Sequence, residues 1–231
     1  MPALDFSILR HEDAPQMLGQ GVALMLELTV LAWVLAMLVG TLLALLRMSR
    51  SKFAEGVVGA WVEYHQNVPM LVQIFLWYFG ISTLLPSGAQ IWLNQHGGAF
   101  TFATIAIGLA SSAYMSEGLR SGIRSIPPSQ IEAARALGLS YLQTFRHVVL
   151  PQALRASLPT LINHTVLLFK NTSLAMTIGV AELMYATREI ESRTFKTIEV
   201  YLVATVLYLG ISLLIMAAGG LAERRIRVAT R

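Results

Sequence analysis

The residue types that usually carry catalysis or bind metals are few in this sequence, and their spacing suits neither task. The chain has no cysteine, which excludes thiol catalysis and cysteine-based metal sites. Neither Lys52 nor Lys170 follows the glycine-rich approach of a phosphate-binding loop. The five histidines form no H-E-x-x-H pair and no triad-like arrangement; they are His11, His65, His96, His147 and His164. We therefore expect no enzymatic activity, no bound metal and no bound cofactor in this chain.

One polar cluster interrupts an apolar run and points to the handling of a solute. It begins at Lys170, and a lysine at mid-membrane costs roughly 2.5–3.5 kcal/mol on insertion scales. Lys170 therefore either lines a pathway, or snorkels or pairs with an acidic residue such as Glu117 or Glu27. Asn163 and His164 either line the pathway or form hydrogen bonds to neighbouring helices. The candidates for lining a pathway are Asn163, His164, Lys170, Asn171, Thr172, Ser173 and Glu117.

The composition indicates a membrane protein. Of 231 residues, 55% are hydrophobic and only 13% are charged, and the mean hydropathy is +0.60. A helix needs about 20 apolar residues to cross a hydrocarbon core of about 30 Å. Five runs approach this length, at 22–46, 68–85, 100–115, 158–180 and 200–222. The sequence predicts an all-α, polytopic membrane bundle in a single domain over 1–231, with the fourth span broken near Pro159 and Gly179.

The distribution of lysine and arginine predicts the orientation of this bundle. With the amino terminus outside, the loops and the carboxyl terminus on the inner side carry twelve basic residues and the outer loops carry four. The inner twelve are Arg47, Arg50, Lys52, Arg120, Arg124, Arg135, Arg146, Arg155, Arg224, Arg225, Arg227 and Arg231; the outer four are Arg10, Arg188, Arg193 and Lys196. Since basic residues concentrate in cytoplasmic loops, the carboxyl terminus and the loop at about 120–155 are expected inside.

That loop has the start and stop signals of two short helices. Ser129 with Glu132 predicts a capping box at the start of the first, and Ser140 with Gln143 predicts a second, just after Gly138. Apolar or small residues recur at helical spacing, at Ile131, Ala134, Gly138, Tyr141, Leu142 and Phe145. An apolar face on such a loop must be covered by the helix ends of the chain, by the lipid interface or by another protein. A DNA-reading motif is disfavoured, because membrane spans flank the loop on both sides.

The loop resembles the EAA motif of ABC-importer permeases, EAA-x3-G-x9-I-x-LP. Glu132, Ala133 and Ala134 are followed by Gly138 and then by "VVLP", with Val148 in place of isoleucine. Three further stretches are similar to the polar amino acid branch of this family: "NVPMLVQIFLWYFG" at 67–80, "AYMSEGLRSGIRSIPPSQ" at 113–130 and "KNTSLAMTIGVAEL" at 170–183. The first is most like the glutamate/aspartate permeases. The chain departs from the family at Gln66, where arginine is common.

The resemblance implies a type I importer fold in a bacterial inner membrane, with the loop serving as a coupling helix for a cytosolic ATPase dimer that hydrolyses the ATP. It further implies a second permease chain, either identical or paralogous, and a periplasmic or extracellular substrate-binding protein. The cargo would be an amino acid, glutamate or aspartate in the first place; the chain would contact membrane lipid and no nucleic acid. The residues expected to contact the ATPase are Glu132, Ala133, Ala134, Leu137, Gly138, Tyr141 and Phe145.

An ion-coupled secondary amino acid transporter is the competing interpretation. Charged residues within apolar runs, such as Glu117 and Lys170, would suit an ion-driven carrier as well. Such a carrier has no need for a docking face on its cytoplasmic side. The capped loop therefore favours the importer, with glutamine, histidine and other polar amino acids left open as substrates.

Overall fold

The regular elements of the chain are helices throughout the described residues, which are 4–7, 13–49 and 51–226 in the computed structural model. Ten α-helices are present in this part of the chain: α1 (Ala14–Met48), α2 (Lys52–Asn67), α3 (Met70–Phe75), α4 (Ser87–Gln95), α5 (Gly98–Arg124), α6 (Pro128–Ala136), α7 (Tyr141–Thr144), α8 (Leu150–Asn171), α9 (Leu183–Thr194) and α10 (Thr197–Ile226). π-Helical turns follow α3 (Leu76–Gly80) and α7 (Phe145–Val149), and 3₁₀ segments occur at Ile81–Leu84 and Thr172–Ile178. His11, Arg10, Arg50, Arg227 and Arg231 lie outside the described residues.

Within the described ranges, three helices are long and apolar enough to cross a membrane alone, namely α1, α5 and α10. Two bent pairs of helices raise the number of possible crossings to five. The predicted spans 22–46, 100–115 and 200–222 fall within the three long helices. Helix α5 continues past its expected end through Glu117, whose carboxylate forms ion pairs with Arg47 of α1 and with Arg120.

The predicted span 68–85 differs from the structure, since it is only the second half of a bent pair. Helix α2 precedes it, and the two halves meet at an angle of 107°. Pro69 explains the break, because the residue before a proline is driven out of the helical region, and Val68 is extended. Gln73 then closes the corner: its side-chain nitrogen donates to the carbonyls of His65 (3.2 Å) and Val68 (2.8 Å). The bend is therefore satisfied within the chain.

The predicted span 158–180 is also built differently from expectation. Helix α8 passes through Pro159 without interruption, so a break at that residue is wrong. The missing proline N–H removes one hydrogen bond, which helices in membrane proteins tolerate. The helix tightens to 3₁₀ geometry at Thr172 and ends at Gly179, whose φ of 85° is left-handed. A bend of 50° then leads to α9, a helix that the sequence reading missed.

The core lies where α1 and α8 pack against α5. Small residues set these distances: a Cβ at Gly40 would lie 2.9 Å from the Ser112 carbonyl oxygen, and one at Gly122 would lie 2.6 Å from that of Ala153. Helix α10 packs on α8 in the opposite direction, with Gly219 against Ile162. The ends of α1 and α5 and the start of α8 therefore share one end of the bundle, called here the elbow end, and the segment 128–149 attached to it is called the elbow.

Candidate functional site

The first helix of the elbow does not begin as predicted. Helix α6 starts at Pro128, its N-cap is Pro127, and no side chain caps it, so the capping box at Ser129 and Glu132 is wrong. The physical reason is Pro128: a proline at the first helical position has its φ preset and lacks an N–H that would need a cap. Ser129 falls within the first turn, and Glu132 is solvent-exposed with no capping role.

The second half of the elbow has the predicted local structure. Gly138 has a φ of 84°, and the N–H groups of Gly138 and Leu139 bond to the carbonyls of Arg135 (2.9 Å) and Ala134 (3.2 Å). This is a Schellman ending, which favours glycine for its backbone and not for space, since a Cβ there would meet nothing within 4 Å. The capping box at Ser140 is confirmed: the Gln143 N–H donates to Ser140 Oγ (3.3 Å), and the Ser140 N–H donates to Gln143 Oε1 (2.9 Å).

The elbow leaves large apolar side chains uncovered. Leu137 is 81% exposed, Leu142 72% and Tyr141 64%, and they flank the turn at Gly138. Of the other residues expected to contact a partner, Glu132 and Ala133 are exposed, Phe145 is half-buried and Ala134 is buried. The chain's own helix ends therefore cover one side of the elbow only. The exposed apolar side chains that remain are left for the lipid interface or another protein to cover.

An ion cluster holds the bundle together near the elbow. Arg120 Nε lies 3.0 and 2.9 Å from the two carboxylate oxygens of Glu117, and Arg47 pairs with the same carboxylate from α1. Glu117 was a candidate for the solute pathway and a possible partner of Lys170. The structure places it instead in this cluster, while Lys170 lies at the other end of the bundle, near the end of α8.

At the end far from the elbow, Lys170 faces an open pocket of about 480 Å³ between α8 and α10. The exposed pocket wall is mainly apolar, although five of its nine lining residues carry a hydroxyl; the lining residues are Lys170, Ser173, Met184, Tyr201, Ala204, Thr205, Tyr208, Leu209 and Ser212. An ammonium group among hydroxyls can bind a carboxylate by charge-assisted hydrogen bonds. Pairing of Lys170 with Glu117 is wrong, because Glu117 pairs with Arg47 and Arg120; lining a pathway and snorkelling both stay predictions for Lys170.

The remaining pathway candidates are dispersed along α8 and its 3₁₀ extension. Thr172 is turned inward, where its hydroxyl donates to the Phe169 carbonyl (2.6 Å). Asn171 is half-buried. Asn163 is exposed and His164 is half-buried beside the Tyr114 ring (5.5 Å between centroids), about two helical turns nearer the elbow than Lys170. Of this set, only Lys170 and Ser173 line the pocket.

Sequence reasoning missed Glu182, which lies beside this pocket and is fully buried. Its carboxylate accepts hydrogen bonds from the N–H groups of Met184 (2.9 Å) and Tyr185 (3.0 Å), which caps α9, and from the Tyr208 hydroxyl of α10 (2.9 Å). An acidic residue just before a helix was the available signal for the cap. Tyr208 also lines the pocket, so Glu182 fixes one of the pocket walls from behind.

The far end is further tied together by the start of the described chain. Lys196 Nζ lies 2.5 Å from Asp5 Oδ2, and the Asp5 N–H donates to Glu199 Oε1 (3.0 Å). The hydrogen bond from Lys196, with others from Ser7, lowers the pKa of Asp5 to about 2.

No group of three or more His, Asp or Glu side chains among the described residues is placed to hold a metal ion.

The fold and the elbow together define a class of protein. Helices sufficient for up to five crossings carry, between two of them, a capped elbow with uncovered apolar side chains. This is a multi-pass membrane protein with an uncovered apolar surface on the segment between two of its helices.

A family comparison identifies the class more closely. The family model for the binding-protein-dependent transport system inner membrane component matches residues 36–228. The chain belongs to this family and is a multi-pass protein of the inner membrane.

Individual relatives align with most of the chain. The glutamate/aspartate import permease protein GltJ of Escherichia coli (strain K12) is 32% identical, over 90% of this chain and 86% of its own length. The nopaline transport system permease protein NocM of Agrobacterium fabrum is 35% identical, over 92% and 88%. The histidine/lysine/arginine/ornithine transport system permease protein HisM of Salmonella typhimurium is 34% identical, over 89% and 88%.

Solved structures confirm the predicted fold. A crystal structure of an amino acid ABC transporter with histidines aligns with a TM-score of 0.83 at 31% identity, covering 96% of this chain and 99% of that one. An inward-facing structure of the MetNI methionine ABC transporter aligns with a TM-score of 0.75 at 19% identity, over 94% and 100%, and supports the fold alone. The all-α, type I importer permease fold expected from the sequence is the fold of this chain.

Proposed function

We propose that this chain is the non-catalytic permease subunit of an ABC importer that moves polar amino acids, with glutamate and aspartate the first candidates, across the inner membrane. The observation that carries the proposal is the elbow, whose Leu137, Tyr141 and Leu142 are exposed beside a glycine-fixed turn. The names of the relatives support amino acids as the cargo, but they span acidic amino acids, basic amino acids and nopaline. Glutamate and aspartate rest on the likeness of the stretch at 67–80.

The partners follow from this role. A cytosolic ATPase dimer binds the elbow and hydrolyses the ATP, a second permease chain of the same or a paralogous sequence completes the pathway, and a periplasmic or extracellular binding protein delivers the substrate. The amino terminus is outside and the carboxyl terminus inside, as the excess of basic residues at the elbow end supports. This orientation puts the elbow in the cytoplasm, where the ATPase is.

The elbow transmits force because its shape is held by local bonds. The Schellman ending at Gly138 sets the angle between α6 and α7, and the capping box at Ser140 fixes the start of α7. Leu137 and Tyr141 are then available as apolar anchors, and the exposed carboxylate of Glu132 can pair with a basic residue of the ATPase. Since the π-helical turn Phe145–Val149 runs directly into α8, movement of the elbow is passed to the helix that carries Lys170.

The pocket at Lys170 supports a role in the solute pathway. Its ammonium group can donate to a carboxylate, a group that every amino acid carries. The neighbouring hydroxyls of Ser173 and Thr205 donate to the backbone carbonyls of Lys170 and Tyr201. Lys170 therefore fits amino acid transport in general and does not select glutamate.

The test is uptake by cells that carry Gly138→Asp or Glu132→Lys in this chain. We expect both variants to reach the membrane in normal amounts, to lose uptake of the labelled amino acid and to lose the co-purifying ATPase subunit. Gly88→Asp is the matched control, because Gly88 is exposed on α4, far from the elbow, with nothing within 4 Å of an added Cβ. Undiminished uptake in the two elbow variants would overturn the proposal, and ion-driven uptake by the chain alone in liposomes would establish the secondary transporter.

A further inference from the structure

Phe195, at the turn between α9 and α10, has an unusual backbone conformation. Its φ of 55° lies in the left-handed region, which no other non-glycine residue among the described residues adopts. The position ends α9, since the Phe195 N–H donates to the Glu191 carbonyl (2.8 Å), and glycine is the residue usually found there. A bulky residue in this conformation is strained, and such strain is concentrated at functional sites.

The phenyl ring of Phe195 does not stabilise the turn in return. Phe195 is 85% exposed, more than any other large hydrophobic residue that the structure describes. A glycine at this position would end the helix without strain and without an exposed ring. The sequence therefore keeps an aromatic ring where the local structure favours its absence, which points to a contact outside this chain.

Side-chain bonds hold the turn in place from both sides. Lys196 Nζ lies 2.5 Å from Asp5 Oδ2 and 2.9 Å from Ser7 Oγ. The Thr197 hydroxyl donates to Glu191 Oε1 (2.9 Å). The ring thus projects from a turn with a fixed border of charged and hydroxyl groups. An aromatic anchor with a polar border is typical of a protein–protein contact, and a turn fixed in advance loses little entropy on binding.

The packing of α9 on α1 shows where the turn lies along the bundle. An added Cβ at Gly21 of α1 would lie 2.9 Å from the Cα of Leu183, at the start of α9. Asp13, just before α1, lines a pocket together with Arg193, near the end of α9. Helix α9 therefore runs along α1 away from the elbow end. Phe195 follows it at about the level of Asp13, about 12 Å beyond Gly21.

This level is outside the hydrocarbon core. The apolar runs of α1 and α10 begin at residues 22 and 200, so Phe195 lies about 7–12 Å beyond them when the rise of each helix is counted. The headgroup layer on each side of the core is about 5–8 Å thick. The ring therefore lies at or past the outer edge of that layer, on the side opposite the elbow, where a soluble protein can reach it.

We propose that the turn at Phe195 is a docking point for the substrate-binding protein, which receives the ring in an apolar pocket with a polar border. Leu4 and Ile198 add exposed apolar surface near the turn, since their neighbours Asp5 and Glu199 are joined by a hydrogen bond (3.0 Å). This inference rests on the proposed function, in which the ATPase is at the elbow and the binding protein is on the opposite side.

Photo-cross-linking identifies what contacts the ring. Phe195→benzoylphenylalanine keeps an aromatic ring at the turn and bonds covalently to its neighbour under ultraviolet light. In cells that take up the labelled amino acid, we expect one cross-linked soluble protein, which binds that amino acid once purified. Phe53→benzoylphenylalanine is the control, because Phe53 is similarly exposed at the elbow end, near the start of α2, and should give no such product. A cross-link at 195 to lipid, to another membrane protein or to nothing overturns the docking point.

Substitution of Phe195 separates docking from strain. Phe195→Gly removes the ring and relieves the strain, and Phe195→Tyr keeps the ring. With the transporter in lipid nanodiscs and the cross-linked binding protein as the probe, we expect Phe195→Gly to weaken binding at least tenfold. Thermal stability of the permease should be unchanged or raised, and the ATPase should still co-purify. Phe195→Tyr and the control Phe53→Ala should bind within about twofold of the parent.

The outcomes separate this inference from the proposed function. Parental binding by Phe195→Gly overturns the docking point and leaves the proposed function standing. Lowered thermal stability of Phe195→Gly makes the ring a structural support, which also overturns it. A parent chain that takes up the amino acid with neither an ATPase nor a binding protein refutes the proposed function, and the docking point with it.

Discussion

The elbow and the Lys170–Glu182 region lie at opposite ends of the bundle, and they differ in whether their exposed apolar and buried polar side chains find partners within the chain. In the elbow, Leu137, Tyr141 and Leu142 are exposed, and the buried Thr144 hydroxyl has no hydrogen-bond partner among the described residues. At the far end, the buried carboxylate of Glu182 receives three hydrogen bonds, two from the backbone and one from Tyr208. The first arrangement leaves groups that the chain itself does not cover, as the proposed docking of an ATPase requires, and the second leaves none. The difference suggests a criterion: in a structural support the chain itself covers the apolar side chains and bonds the buried polar groups, and in an interface it does not.

The largest effect is expected from charges on the elbow surface. The double variant Leu137→Asp, Leu142→Asp should abolish uptake and release the ATPase, because desolvating two carboxylates in an apolar interface is strongly unfavourable. Stability of the free chain should change little, since both side chains are exposed. Uptake assays and co-purification measure the loss, and Leu137→Met, Leu142→Met is the control that keeps the surface apolar. Retention of the ATPase by the charged variant would show that this surface is not the interface.

A change at Glu182 should act on stability instead of docking. Glu182→Ala leaves two backbone N–H groups and the Tyr208 hydroxyl without an acceptor, which should cost about 1–3 kcal/mol of folding stability. Glu182→Gln keeps an acceptor oxygen and should lose less. Thermal unfolding of the purified chain measures both, and the folded fraction should still bind the ATPase. The contrast between the two regions is refuted if Glu182→Ala unfolds like the parent but no longer binds the ATPase.

The smallest effect is expected at Lys170, which tests whether the far pocket also handles solute. Lys170→Met should insert normally, because it removes a charge from a membrane helix, and should lower uptake about tenfold while ATPase binding is unchanged. Lys170→Arg keeps the charge and should retain part of the uptake. Initial uptake rates, normalised to the amount of protein in the membrane, give the comparison. Parental rates in Lys170→Met would leave Lys170 as a packing residue of α8.

The sequence by itself determined the features that depend on neighbouring residues. Apolar runs predicted the long helices, because the hydropathy and length of a segment determine whether it can cross a membrane. The turn at Gly138 and the cap at Ser140 followed from local backbone chemistry, and the EAA pattern indicated the family. Even a local prediction can fail when a neighbouring residue favours another structure: α6 begins at Pro128, and the expected cap at Ser129 does not form.

Only the tertiary structure decided the features that join residues distant in sequence. The carboxylate of Glu117 in α5 has its countercharge in Arg47, which lies 70 residues earlier in the chain. The corner at Pro69 is closed by Gln73, and Glu182 at the start of α9 accepts a hydrogen bond from Tyr208 of α10. None of these partners can be read from spacing, because hydrogen bonds and cavities depend on which helices pack together and at what angle.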